Sequence, residues 1–135
     1  MSENKDKARA LLQAIAARDA DAMAAVLHED VVWWTPASSP MSRPIVGRDV
    51  VISMAVGGTG VFRPDTTSWS EFAVIEEGDV VVAHVQRNSL TAKGAPYEND
   101  YVFRFDFSGG VITEAWETTD TAQARAMFAA EPPGG

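Results

Sequence analysis

The sequence contains no cysteine among its 135 residues. Disulfide bonds and thiolate metal sites are therefore excluded, and the chain suits a reducing compartment. No apolar run approaches the ~20 residues that a membrane-spanning helix needs. The N-terminal stretch MSENKDKARA is also too polar to be a secretory signal peptide. These absences predict a cytoplasmic protein that makes no contact with a membrane.

Basic residues are scarce as well. Eleven Lys and Arg stand against 19 Asp and Glu, so the formal net charge is -8. Because phosphate backbones repel a chain of this charge, we expect no binding to nucleic acid. The two histidines, His28 and His84, lie far apart in the sequence and have no cysteine to join them. This composition contains no metal-binding signature, and we expect no metal site.

Length and apolar content are those of one globular domain. With 135 residues, of which 46% are hydrophobic, the chain can bury a stable core without disulfide cross-links. We predict a single domain over residues 1–130. The remaining residues, 131–135, read EPPGG, and we predict a disordered tail there.

Hydrophobic periodicity predicts the order of helices and strands. Apolar residues at helical spacing indicate two helices before residue 28 and a third that begins near Gly47. Asp120 is placed to cap a final helix, with Gln123 at its third position. Period-2 runs predict a first strand and then an antiparallel meander, at 31–35, 69–77, 80–91, 97–107 and 111–119. This order predicts an α+β cone whose N-terminal helices pack on the concave face of a strongly curved antiparallel sheet, where a pocket naturally forms.

The hairpin that begins at Tyr97 carries the most distinctive pattern. One face of its first strand combines an amide, two phenols and three phenyl rings: Tyr97, Asn99, Tyr101, Phe103, Phe105 and Phe107. On its second strand Glu117 shares a side with smaller uncharged residues: Val111, Thr113, Ala115 and Thr119. Such a face either packs a core with paired polar tips or lines a cavity. Glu117 is therefore the first candidate for acid/base chemistry.

Alternation along the other strands brings further residues to the same face. Arg87 and Ser89 share the inward side of their strand, and Trp33 and Thr35 share the inward side of the first strand. The predicted pocket lining is Trp33, Thr35, Ser89, Tyr97, Phe103 and Ala115. The loop from 36 to 44 is rich in proline and serine, and we predict a flap over the mouth of the pocket there.

Several stretches of the chain, taken in order, resemble the NTF2-like superfamily and its SnoaL-like branch. They are ARDADAMAAVLHEDVVW, PIVGRD, GAPYENDYVFRF and GGVITEAWETTDT. The resemblance extends from about Ala8 to Phe128 and implies the NTF2-like cone, a cup formed by helices and sheet. Proteins of this superfamily use the cup for ketosteroid isomerisation, epoxide hydrolysis, polyketide ring closure, dehydration or plain binding. The fold by itself therefore does not specify the chemistry.

Resemblance to ketosteroid isomerases around VVWWTP and NDYVFRF implies positions for their catalytic groups. Thr35 stands where the base carboxylate would be, Tyr101 where the oxyanion acid would be, and Leu11 where the oxyanion tyrosine would be. Threonine has no basic form near neutral pH, so it cannot abstract a proton from carbon. The isomerase mechanism is therefore not implied for this chain.

Resemblance to limonene-epoxide-hydrolase-like proteins implies a different set, an Asp–Arg–Asp group across adjacent strands. Arg87 matches the arginine and Glu117 matches one acid, whereas Ser89 stands at the other acid. In that arrangement one carboxylate activates water and the other protonates the epoxide oxygen. A single acid at Glu117, with Arg87 and Tyr101 beside it, retains the capacity for proton transfer.

We therefore expect a SnoaL-like enzyme that performs cofactor-independent acid/base chemistry on a small apolar molecule. The reaction would be isomerisation, dehydration, cyclisation or epoxide opening, the work of an isomerase or lyase or of an epoxide-hydrolase-like hydrolase. Glu117 would be the acid/base, Arg87 its tuner, and Tyr101 and Asn99 the orienting hydrogen-bond donors. The alternative is a non-catalytic module that binds a small hydrophobic ligand or serves as a dimeric scaffold.

Two structural expectations complete the interpretation. Glu117 and Arg87 are predicted to meet in a direct ion pair from neighbouring strands ~4.8 Å apart, with Tyr101 or Asn99 donating a further hydrogen bond to the carboxylate. The opposite face of the meander mixes aromatic and charged residues, which suits an interface: His84, Gln86, Glu98, Arg104 and Trp116. Dimers through this face are common in proteins that the chain resembles, which implies a homodimer.

Overall fold

The computed structural model describes residues 2–38, 44–57 and 60–133. Its helices and strands alternate along the chain as α1 (Glu3–Ala17), α2 (Ala20–Val26), β1 (Leu27–Trp34), β2 (Ile45–Val46), α3 (Arg48–Gly57), β3 (Ser68–Glu77), β4 (Val80–Leu90), β5 (Pro96–Ser108), β6 (Val111–Thr119) and α4 (Thr121–Ala129). The helices pack against one curved sheet, so the predicted α+β cone is confirmed.

Side-chain caps fix where three of the helices begin. Ser2 Oγ accepts a hydrogen bond from the backbone N–H of Lys5 at 3.0 Å, and Asp19 Oδ1 accepts one from Ala22 at 3.1 Å. Asp120 does the same for Gln123 at 3.0 Å, as the sequence predicts. Each cap satisfies a backbone N–H that has no partner inside the helix, which stabilises the helix by about 1 kcal/mol.

The sheet is mixed, which corrects the prediction of a wholly antiparallel one. Its strand order is β2-β1-β6-β5-β4-β3, and β3 to β6 form the predicted antiparallel meander. β1 joins the far side of β6 in parallel, and the unpredicted two-residue strand β2 pairs with β1. The parallel pairing joins residues more than 80 positions apart, and β2 is too short for any periodic signal.

A bulge in β6 changes which of its residues face the core. Asp106 pairs with Glu114 and Phe107 with Ile112, so β6 carries one extra residue, Thr113, at this point. Ile112 is consequently fully buried instead of facing outward as strict alternation would place it. Beyond the bulge the predicted alternation holds, and Ala115 is buried on the inward side.

The core lies between the helices and the inward face of β4, β5 and β6. Leu11 of α1, Met23 of α2 and Val51 of α3 pack in one buried cluster with Phe105, which is fully buried. Burial of each such side chain contributes roughly 1.5–3 kcal/mol. Trp69 of β3 extends the contact, because its indole Nε1 donates to the backbone oxygen of a helix α1 residue at 2.7 Å.

Some sequence predictions lie partly or wholly outside this description. Residues 39–43 of the predicted flap and residues 134–135 of the predicted tail are outside the described ranges. The single-domain boundary at residue 130 stays a prediction. None of the helices in the described ranges combines the length and the apolar character needed to cross a bilayer.

Candidate active site on the concave face

Glu117 is the acid on the concave face of the sheet. It lies on β6 directly opposite Phe103 of β5, and its Oε1 accepts a hydrogen bond from the indole Nε1 of Trp33 at 2.9 Å. Protein surrounds the carboxyl group densely, although part of the residue stays accessible to solvent. Burial raises the pKa of Glu117 above its usual range, against the opposing effects of the Trp33 bond and the positive charge of Arg87.

Trp33 is held rigidly in the orientation that this hydrogen bond needs. It is 5% exposed and pairs with Ala115 across the parallel β1–β6 contact, so it lies beside β6. Its ring makes edge-on contacts with Phe103 and Phe105, at centroid distances of 6.3 and 6.1 Å. The predicted inward position of Trp33 is therefore confirmed, but its bond to Glu117 is a feature that strand parity alone could not reveal.

Arg87 occupies a different environment from the predicted one. Its Nε donates to Ser89 Oγ and its Nη2 to Thr67 Oγ1, both at 3.1 Å. The guanidinium carbon lies 3.8 Å from the ring centroid of Phe62 and 5.4 Å from that of Trp69. Burial lowers the pKa of Arg87, although the group stays charged at neutral pH because an arginine pKa starts so high.

The predicted ion pair between Arg87 and Glu117 is wrong. Among the ion pairs within 4.0 Å that the described residues form, none joins these two side chains. The reason is the strand order: β5 lies between β4 and β6, so Arg87 is opposite Asn99 while Glu117 is opposite Phe103. The two charged groups interact only through their electric fields, from separate positions on the concave face.

A hydrogen-bond chain runs along the inward face of β5. Asn99 Nδ2 donates to the hydroxyl of Tyr97 at 3.0 Å and to the backbone oxygen of Asp120 at 2.9 Å. The hydroxyl groups of Tyr97 and Tyr101 lie 2.7 Å apart. Asn99 thus uses both amide hydrogens away from Glu117, and neither Asn99 nor Tyr101 donates to that carboxylate among the bonds of the described residues. This part of the prediction is also wrong.

The direction of the chain determines what Tyr101 can offer. Tyr97 is almost completely buried, and Tyr101 is an acceptor within reach of its hydroxyl proton. Either hydroxyl can be the donor in this pair, and both belong to buried residues. In the arrangement in which Tyr97 donates to Tyr101, the proton of Tyr101 is available to a group on the concave face. Burial raises the pKa of Tyr101, so its hydroxyl remains protonated and acts as a donor.

The remaining predicted lining residues lie on the inward side of the sheet, except Thr35, which directly follows the last residue of β1. Thr35, Ser89, Phe103 and Ala115 are all buried. Ser89 shares its hydroxyl between Arg87 and Thr67, whose Oγ1 lies 2.8 Å away. Sequence reasoning missed Phe62, Thr67 and Trp69 as neighbours of Arg87. Trp69 carried a usable signal, since it is the first aromatic residue of a predicted strand, whereas Phe62 and Thr67 lie outside any periodic run.

Charged groups on the outer face stay apart from this site. His84 points outward as predicted: its Nε2 lies 3.6 Å from Asp100 Oδ2, and its ring is tilted against that of Phe72 at a centroid distance of 4.9 Å. Within residues 2–38, 44–57 and 60–133, no three His, Asp or Glu side chains are grouped so that they could hold a metal ion. The expectation of chemistry without metal or cofactor stays a prediction.

Comparison with known proteins identifies the family. The sequence model of the SnoaL-like domain matches residues 8–115, which is most of the chain. The chain belongs to the SnoaL-like family. Among curated protein sequences, none matches it.

Solved structures of similar fold agree with this assignment. An NTF2-like protein of unknown function from Burkholderia pseudomallei is 24% identical, with a TM-score of 0.82 over 96% of this chain and 100% of that one. A putative SnoaL-like polyketide cyclase from Jannaschia sp. CCS1 is 17% identical, with a TM-score of 0.81 over 96% and 94%. An LEH-like epoxide hydrolase from M. tuberculosis is 17% identical, with a TM-score of 0.76 over 93% and 89%. Identities this low establish the shared fold and leave the chemistry to the site.

Proposed function

We propose that this SnoaL-like protein is an enzyme that transfers a proton within a small, largely apolar molecule bound on the concave face. The observation that carries the proposal is Glu117, a carboxyl group without an ion-pair partner in the described chain, held by Trp33 beside an aromatic wall. Its raised pKa brings the group closer to neutrality, where it can both accept and donate a proton. Structural carboxylates are normally paired, whereas catalytic ones are kept available.

Tyr101 supplies the second element of the mechanism. It lies on β5 beside Phe103, which is opposite Glu117, so the two polar groups are diagonal neighbours about 7–8 Å apart at the backbone. A substrate between them gives a proton to Glu117 while the negative charge that develops on its oxygen meets the Tyr101 hydroxyl. Return of the proton to another carbon gives isomerisation. Attack of the carbanion on a carbonyl carbon of the same molecule, whose oxygen then takes the proton from Glu117, gives ring closure. Delivery of the proton to a leaving oxygen, as its C–O bond breaks and a C=C bond forms, gives dehydration or epoxide opening.

The proposal is tested by proton exchange, which does not require the natural substrate. Wild-type protein in D2O is incubated with a panel of enolisable ketones, such as 2-tetralone and 1-indanone, and loss of the α-proton signal is followed by NMR. We expect exchange above the buffer rate, and about 100-fold slower exchange in Glu117→Gln, since general acid/base groups contribute roughly that factor or more. Arg104→Met, on the outer face, is the matched control and keeps the wild-type rate.

Two outcomes contradict acid/base catalysis. Equal exchange in wild type and Glu117→Gln removes this residue from the reaction. Exchange no faster than buffer for every ketone, together with saturable binding of the same ketones, supports the non-catalytic binding module instead. That alternative is favoured by Ser89, which stands where related hydrolases would have a second acid and instead bonds to Arg87 and Thr67.

We also propose a homodimer through the outer face of the sheet, and a cytoplasmic location. The outer face leaves three large apolar side chains uncovered: Phe72, Ile75 and Val102, with exposures of 54, 62 and 40%. Arg104 lies 4.6 Å over the ring of Trp116 on the same face. A mixed aromatic and apolar surface of this kind supports an interface. The lack of cysteine supports a reducing compartment.

A further inference from the structure

Arg87 is a partly buried cation that has no acidic partner in the described ranges. The protein carries 19 acidic residues against 11 basic ones, and three other Lys and Arg side chains of the described chain pair with carboxylates: Arg9, Lys93 and Arg104. Arg9 pairs with Glu71 at 2.8 Å, and Arg104 with Asp106 at 3.0 Å. Arg87 is more deeply placed than either, yet none of the ion pairs among the described residues includes it. A partly buried cation left without a counter-charge is unfavourable unless something else supplies one.

The hydrogen bonds of Arg87 leave one edge of the guanidinium open. A guanidinium has five N–H donors, and two of them are taken by Ser89 and Thr67. Three therefore remain, on Nη1 and Nη2. Among the described residues no fully enclosed side-chain nitrogen or oxygen lacks a partner, so the unbonded Nη1 retains some contact with solvent. This open edge is the one that holds a carboxylate in bidentate geometry.

The surroundings hold that edge in place. Phe62 and Trp69 lie against the guanidinium, which fixes its plane, while the two hydroxyl acceptors fix its rotation. The hydroxyls of Ser89 and Thr67 are in turn 2.8 Å apart and orient each other. A second cation, Arg18, adds positive field: its Nη2 donates to the backbone oxygen of Phe62 at 3.2 Å. The region is thus preorganised for an anion and not for another cation.

We infer that Arg87 is an anion-binding subsite, which holds the carboxylate or other acidic oxygen of the molecule on which Glu117 acts. The inference rests on the proposed function for what happens to the bound molecule, but the contact itself depends only on Arg87. It makes the substrate an apolar organic acid and assigns Arg87 a role in specificity in addition to its electrostatic effect on Glu117.

Strand geometry also gives the minimum length of this molecule. Arg87 on β4 and Glu117 on β6 are separated by β5, which is about 10 Å across the sheet, and their partners Asn99 and Phe103 lie four residues apart on β5, which adds about 13 Å along it. Between them lie the rings of Tyr101 and Phe103, stacked at 5.8 Å, with Trp69 edge-on to both. Because Tyr101 and Phe103 are only 7 and 3% exposed, a conjugated or polycyclic body would lie along their accessible edges, with an acidic group at Arg87 and a reactive C–H or C–O bond at Glu117.

The test compares two probes that differ only in charge, 2-naphthoate and 2-naphthamide, titrated against tryptophan fluorescence or by calorimetry. We expect wild-type protein to bind the carboxylate about tenfold more tightly than the amide, the worth of one charged hydrogen-bonded contact. In Arg87→Met the preference is lost while binding of the amide remains. Arg104→Met removes a guanidinium that also lies on a tryptophan ring, but on the outer face, and keeps the preference.

The outcomes separate this inference from the proposed function. Equal affinities in the wild type, a preference that survives Arg87→Met, or no binding of either probe at millimolar concentration each overturn the subsite. Glu117→Gln is expected to keep the carboxylate preference, because it leaves the Arg87 edge unchanged. Retained preference together with unchanged proton exchange in Glu117→Gln would overturn the catalytic proposal and leave the subsite standing.

Discussion

The indole Nε1 of Trp33 lies 2.9 Å from Oε1 of Glu117, and this bond connects β1 to β6. The two strands are adjacent only because β1 joins the sheet in parallel with β6. The carboxyl group is therefore stabilised by a neutral donor instead of the arginine expected to pair with it. A neutral donor favours the ionised form only weakly, so burial dominates and the pKa of Glu117 is raised. Because no ion pair joins Glu117 and Arg87, each residue can be replaced without leaving the other as an unpaired partner.

Replacement of Arg87 by methionine should not destabilise the protein. A direct ion pair would lose several kcal/mol on removal of the arginine, whereas a cation without a carboxylate partner loses only its hydroxyl and ring contacts. We expect the free energy of unfolding of Arg87→Met to be unchanged or raised by up to about 2 kcal/mol, measured by urea denaturation at pH 7. A loss of 3 kcal/mol or more, the ~3–5 kcal/mol range of a broken buried pair, would contradict this account.

Trp33→Phe should raise the pKa of Glu117 still further. Phenylalanine fills most of the space of the indole but has no N–H, so the ionised carboxylate loses its donor. The expected readout is the 13C chemical shift of the Glu117 carboxyl carbon followed over pH. Trp34→Phe is the control, because that indole donates to Glu114 at 2.8 Å. A Glu117 titration that is the same in Trp33→Phe and wild type would show that the bond has no influence on protonation.

The stability of the protein should fall as pH rises through the titration of Glu117. The Glu117 carboxyl group holds its proton more tightly in the folded state than in the unfolded chain, whose glutamate pKa is about 4.3. At pH values between the unfolded and the folded pKa, the folded state therefore binds more protons than the unfolded state. The contribution of Glu117 to the free energy of unfolding therefore decreases from about pH 4.3 up to its raised pKa and is flat above it.

Glu117→Gln removes this contribution and provides the measurement. Relative to wild type, the glutamine variant should gain stability as pH rises over that window, in urea unfolding series at constant ionic strength. Glu114→Gln is the comparison variant, because Glu114 lies three residues earlier on β6 and its carboxylate accepts a hydrogen bond from Trp34. A stability difference between wild type and Glu117→Gln that does not vary with pH would rule out a raised pKa.

A charge placed in the centre of the outer face should separate the proposed dimer. Val102 lies on β5 in the middle of the sheet and is 40% exposed, so aspartate there is tolerated by the monomer but buried unpaired in an interface. We expect wild-type protein to sediment as a dimer at tens of micromolar and Val102→Asp as a monomer with an unchanged circular dichroism spectrum. Val50→Asp, exposed on α3, should remain dimeric. A monomeric wild type would refute the dimer without affecting the fold.

Local patterns in the sequence determined where helices begin and which side chains of each strand face inward. Capping groups such as Asp120 act on backbone only three residues away, and alternation along a strand follows from the pleat, so both can be read without tertiary structure. The inward positions of Trp33, Tyr97 and Phe103 were predicted on this basis and are confirmed. The position of Ile112 was missed, because the bulge at Thr113 breaks the alternation without a signature of its own.

Only the tertiary structure decided which inward residues meet. Strand parity gives the face of Arg87 and Glu117, and the predicted meander already places β5 between their strands, so the expected ion pair disregarded an order that the sequence indicated. The parallel pairing of β1 with β6 gives Glu117 its partner from 84 residues away. Contacts of this range depend on how the whole sheet closes over its core, a property that no local window of the sequence contains. The sequence defines each strand and its inward side chains separately. The packing of those strands against one another then determines which side chains meet on the concave face.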